Sequence, residues 1–86
     1  MIGSKFVTTA EHAALANGGS GHALDYDDFS GVMGGHQTVP LVPALFALGE
    51  ERHLSGDQFM LAYLAGVETQ IRLARAVNYH HYDKGW

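Results

Sequence analysis

The sequence predicts an all-α fold: a small helical bundle fragment of about four helices, completed by oligomerisation. Three observations carry that expectation. Thr8 with Glu11 and Ser55 with Gln58 each place a hydroxyl three residues ahead of an acid or amide, the signature of a helix start. Phe59, Tyr63, Val67 and Ile71 recur at every fourth position. No stretch of useful length alternates apolar and polar residues as a half-buried strand does.

The first helix is expected from Thr8 as N-cap, with Ala10, Ala13, Ala14 and Ala16 favouring it. Asn17-Gly18-Gly19 should interrupt or end it, because Asn and Gly suit a left-handed cap. A second short helical piece is expected over residues 20–26, and residues 29–37, with three glycines, read as a loop. The third segment starts near Thr38. Pro40 and Pro43 belong in or just before a first turn, where their missing N–H is harmless. Leu41, Ala44, Leu45 and Leu48 then give one apolar face, and polar residues 50–53 close the helix.

The fourth helix has the clearest start, Ser55 with Gln58, and Leu54 against Phe59 forms a hydrophobic staple. Met60, Leu61, Leu64, Ala65 and Leu73 widen its stripe, so this helix calls for neighbours on more than one side. Asn78 is its expected cap. The tail over residues 79–86 is aromatic and histidine-rich without a period, and His80-His81 read as a mobile segment. Trp86 is a candidate interface anchor.

At 86 residues the chain supports one domain, residues 1–86. A chain of that size buries only about 60–65% of its unfolded surface. With 47% apolar and 16% charged residues it is apolar for its size, which favours self-association into a homo-oligomer. The net charge of −4 and five scattered basic residues exclude a nucleic-acid footprint. The absence of cysteine excludes disulfides and thiolate metal sites. Residues 1–6 lack the apolar core of a signal peptide. The longest apolar run, residues 39–48, is half the length of a membrane span and holds both prolines, so a cytoplasmic protein without membrane partners is expected.

Chemistry is sought between Gly21 and His36, which hold His22, Asp25, Asp27, Asp28 and His36. Like charges so closely spaced repel, so the fold gains little from them. An EF-hand fails: counting from Asp25, Phe29 falls fifth, Ser30 sixth and His36 twelfth. His22, Asp25 and His36 offer three N/O ligands of the kind zinc takes, but their spacing follows no established zinc motif, and the expectation is no metal. A His held by an Asp moves protons near neutral pH, as elimination beside a carboxylate requires. The competing account is a solvated helix end with a loop histidine.

The runs Ala13-Ala14-Leu15-Ala16-Asn17-Gly18, His22-Ala23-Leu24-Asp25-Tyr26-Asp27-Asp28, Gly35-His36 and Val39-Pro40-Leu41-Val42-Pro43-Ala44-Leu45 resemble the MmgE/PrpD family, which includes 2-methylcitrate dehydratase and cis-aconitate decarboxylase. Ala62-Tyr63-Leu64-Ala65-Gly66-Val67-Glu68 and His81-Tyr82-Asp83-Lys84-Gly85-Trp86 fit the same family, so the resemblance spans nearly the whole chain. It implies that Asp25 and His36 line an active site: His36 as the proton-transfer residue, Asp25 as its orienter or a substrate-facing group. The implied reaction removes a proton alpha to a carboxylate and expels water or carbon dioxide from a tricarboxylate-like acid. Asp28 and His22 are candidate substrate-binding residues, although Asp27 and Asp28 better suit capping the loop or fixing its backbone, and His22 matches a structural place. No metal or organic cofactor is implied.

Phe29 and Gln37 stand where many members have Thr and Pro, which bears on substrate class and on activity. Members are several times longer, and their second active-site His falls one position after the pair matched by Gly85-Trp86. The expectation is therefore a fragment of such a lyase, not catalytically complete by itself. The alternative is a non-enzymatic, self-associating or partner-binding helical module.

Overall fold

The structure, a computed structural model, describes residues 1–77 and 80–85. It is all-helical: α1 (Ala10–His22), α2 (Val42–Arg52), α3 (Gly56–Val77) and a single turn, α4 (His80–Asp83). Among the described residues the only β pairing is an isolated antiparallel bridge between Ser30 and Gly35.

The first helix departs from expectation at both ends. Thr9, not Thr8, takes the extended N-cap conformation (φ −66°, ψ 159°) and makes no capping hydrogen bond. Three residues beyond Thr9 stands His12 instead of an acid, and the Thr9 hydroxyl bonds to its Nδ1 at 3.2 Å. The helix then runs straight through Asn17-Gly18-Gly19 to His22, so the separate piece expected over residues 20–26 is absent. Tertiary contact overrides the weak propensity. A Cβ on Gly21 would lie 3.1 Å from Val39 Cγ2, so the missing side chain lets α1 close against the segment that leads into α2. Asn17, no cap, instead accepts the Ile2 N–H on its Oδ1 at 3.0 Å and pins the N-terminal segment to α1.

Thr38 starts the next element as expected: its carbonyl accepts the N–H groups of Leu41 (3.0 Å) and Val42 (2.9 Å), and Pro43 falls within the first turn of α2. α2 ends at His53 in the left-handed conformation (φ 52°). Its N–H donates to Glu50 O (3.3 Å) while that of Leu54 donates to Gly49 O (2.9 Å), which satisfies two end carbonyls. The start of α3 is the predicted reciprocal box. Ser55 N–H donates to Gln58 Oε1 at 3.0 Å, and Gln58 N–H donates to Ser55 Oγ at 3.2 Å. The staple partners Leu54 and Phe59 converge at Gly49, both within 3.9 Å of where its Cβ would be.

α1 packs on α2 and α2 on α3, the latter through Phe46 and Phe59 at 4.9 Å between ring centres. Farther along α3, a Cβ on Gly66 would stand 2.8 Å from Leu41 Cδ2, so a side chain here would push the end of Leu41 aside. Residues 80–83 form a helical turn where an irregular tail was expected, closed by Lys84 N–H to His80 O at 3.1 Å. The expected cap Asn78 and the anchor Trp86 lie outside the described residues.

Among the described residues no side chain is buried. Phe6 (75%), Leu15 (76%) and Leu61 (70%) stand largely in solvent. The radius of gyration is 14.2 Å, whereas a compact chain of this length reaches about 12 Å. No described helix is long and apolar enough to cross a membrane.

Candidate functional site

The end of α1 delivers His22, and a left-handed residue folds the chain back over it. Asp25 N–H donates to His22 O (2.9 Å), and Asp25 then takes φ 54°, a conformation Asp tolerates better than most side chains. The reversal brings Asp25 and Asp27 to the same imidazole. His22 Nδ1 lies 2.9 Å from Asp27 Oδ1 and 4.0 Å from Asp25 Oδ1. A carboxylate only accepts, so the Nδ1–H of His22 is the donor to Asp27.

The loop that follows is closed on itself and returns His36 to the same place. Ser30 N–H donates to Gly35 O (2.9 Å), and Gly34 N–H to Ser30 O (2.8 Å). His36 thereby stands between the two carboxylates, Nε2 3.3 Å from Asp25 Oδ1 and Nδ1 3.1 Å from Asp27 Oδ2. The second approach lacks hydrogen-bond geometry, and both atoms, shielded from solvent, have no hydrogen-bond partner among the described residues. The rings of His22 and Phe29 meet that of His36 edge-on, with centres 4.6 and 5.6 Å away.

Exposure differs sharply within the group. The Asp27 side chain is 12% exposed and that of His36 25%, while His22 is half exposed and Asp25 77% exposed. The hydrogen bond from His22 holds the Asp27 carboxyl below its ordinary range, against the opposing effect of desolvation. The same bond, then the Asp27 charge, raises His22 above its ordinary value. This arrangement offers an imidazole for proton transfer beside an exposed carboxylate, and one ligand atom from each of four side chains to a cation.

Of the residues singled out from sequence, the structure brings His22, Asp25 and His36 together with Asp27, which the sequence reading gave to fixing the loop. Asp28 is not in this group. Its Oδ1 accepts Thr38 N–H (3.2 Å) and its Oδ2 the Thr38 hydroxyl (2.6 Å), which ties the loop to the start of α2. With its proton committed to Asp28, Thr38 Oγ1 accepts from Tyr63 OH at 2.8 Å, so α3 joins the chain of bonds. Sequence reasoning placed Tyr63 only in an apolar stripe, and no local signal marks its hydroxyl. A groove of about 1030 Å³ lies elsewhere: Ile2, Phe6, Phe46, Leu54, Phe59 and Met60 line it, and no residue of the His/Asp group does.

A family model, the MmgE/PrpD N-terminal domain, matches residues 1–86. No curated protein and no solved structure matches the chain. The matched span takes in the whole chain, including α1 and the loop that carries the His/Asp group, so the chain belongs to the MmgE/PrpD family.

Proposed function

We propose that this chain contributes Asp25 and His36 to the pocket of an MmgE/PrpD-type lyase, and that the substrate is a small tricarboxylate-like acid losing water or carbon dioxide. His36 Nε2 moves the proton at the carbon beside a substrate carboxylate, and Asp25, beside that same nitrogen, is the substrate-facing polar group. The observation that carries this reading is the 3.3 Å approach of His36 Nε2 to Asp25 Oδ1, on a ring three-quarters shielded from solvent. His22 and Asp28 are the proposed substrate-binding neighbours. Phe29, edge-on to His36, adds bulk beside the reacting nitrogen and favours a substrate that needs no hydroxyl there.

Turnover of 2-methylcitrate and of cis-aconitate tests the proposal. His36→Ala is expected to lower it by about 100-fold or more, the usual contribution of a positioned acid or base. Equal rates in both proteins, zero included, overturn it.

A second reading is favoured by the lack of any buried side chain among the described residues. On that reading the chain is a non-enzymatic module that associates with itself through the faces of α2 and α3 and the groove beside them. The two readings are compatible, because a homo-oligomer covers apolar surface remote from the His/Asp group.

A further inference from the structure

We propose that His22, Asp25, Asp27 and His36 form a binding site for one divalent transition-metal ion of the zinc type. One ligand atom from each residue lies within 4.8 Å of the others. A four-coordinate ion with bonds of about 2.0–2.1 Å holds its ligand atoms roughly 3.3 Å apart. The separations here bracket that distance: 2.9 Å from His22 Nδ1 to Asp27 Oδ1, 3.3 Å from Asp25 Oδ1 to His36 Nε2, and 4.0 Å from His22 Nδ1 to Asp25 Oδ1. Binding displaces the proton that His22 Nδ1 donates to Asp27 Oδ1, and both atoms then turn to the ion.

The donor set selects the ion. Two imidazoles and two carboxylates suit zinc and its neighbours, whereas magnesium and calcium prefer shells of oxygen. A second observation points the same way. Asp27 Oδ2 and His36 Nδ1 are shielded from solvent without a hydrogen-bond partner, 3.1 Å apart. With Nε2 of His36 on the ion, Nδ1 carries the ring's proton and faces Asp27 Oδ2. The exposed sides of Asp25 and His22 give the ion its way in.

The site uses residues of the proposed proton-transfer pair, and on that reading a bound ion occupies His36 Nε2 and stops proton transfer. Binding is tested without any measure of activity, so its failure leaves the lyase reading standing, and the reverse. Zinc titration followed by calorimetry is expected to show one ion per chain, and cobalt to give the absorption of a four-coordinate site. His22→Gln and His36→Ala should each weaken binding by more than about tenfold, as loss of a ligand exceeds the effect of an outer-shell change, with helical circular dichroism unchanged. The double variant His80→Ala, His81→Ala should bind as the parent does. No uptake by the parent, undiminished binding in both site variants, or loss in the residue 80–81 variant would each overturn the proposal.

Discussion

The imidazole of His22 and the carboxylate of Asp27 meet at 2.9 Å, Nδ1 to Oδ1, across the end of α1. The bond raises His22 above 6.5 and lowers Asp27 below 3.8, in each case chiefly through the hydrogen bond itself. The signs give a window. The His22 contribution is complete below 6.5 and is lost as pH rises through its raised value. The Asp27 contribution is complete above 3.8 and is lost as pH falls through its lowered value. Thermal melts across pH are therefore expected to show the pair's stabilisation at full strength between those ordinary values. His22→Gln should flatten both flanks, and unchanged flanks would show that the pair does not form.

Two helix starts that read alike in sequence differ in the folded chain. Ser55→Ala removes a formed reciprocal cap and is expected to cost about 1 kcal/mol. Thr8→Ala removes a hydroxyl that caps nothing, because Thr9 holds the N-cap place, and should stay within about 0.5 kcal/mol. Denaturant melts of the two variants measure the contrast, and equal losses would contradict the start assigned to α1.

Gly19 and Gly66 both sit inside helices, yet their surroundings oppose each other. Nothing lies within 4 Å of a Cβ on Gly19, so Gly19→Ala is expected to stabilise by about 0.5–1 kcal/mol. At Gly66 the same methyl would stand 2.8 and 2.9 Å from the two end carbons of Leu41. Gly66→Ala should lose that gain, and Gly66→Val should destabilise by about 1–3 kcal/mol through overpacking. An equal rise in melting temperature for both alanine variants would show that α3 does not rest on Leu41.

Light scattering tests the uncovered apolar surface. At micromolar concentration the chain is expected as a dimer or larger assembly, with Leu61→Lys, at a 70%-exposed position on α3, shifting it toward smaller species. A clean monomer would remove the self-association reading.

The start of α3 was legible because its signal is local: Ser55, Gln58, Leu54 and Phe59 lie within one turn of each other. The course of α1 was not, because Gly21 disfavours a helix by propensity but admits Val39 by shape, and that partner lies eighteen residues away. The same error hid the full site. A short helix over residues 20–26 puts His22 and Asp25 on one face and leaves Asp27 beyond it, whereas a helix reaching His22 followed by a left-handed Asp25 joins both acids to the imidazole. Asp25 and His36 were legible through family likeness; Asp27, the least exposed of the four, was not.

The bonds from Tyr63 through Thr38 to Asp28 have a mechanical consequence. They act as a tether between the helix with the widest uncovered face and the segment that aims His36. A shift of α3 at Tyr63 is therefore felt at the segment that carries the imidazole.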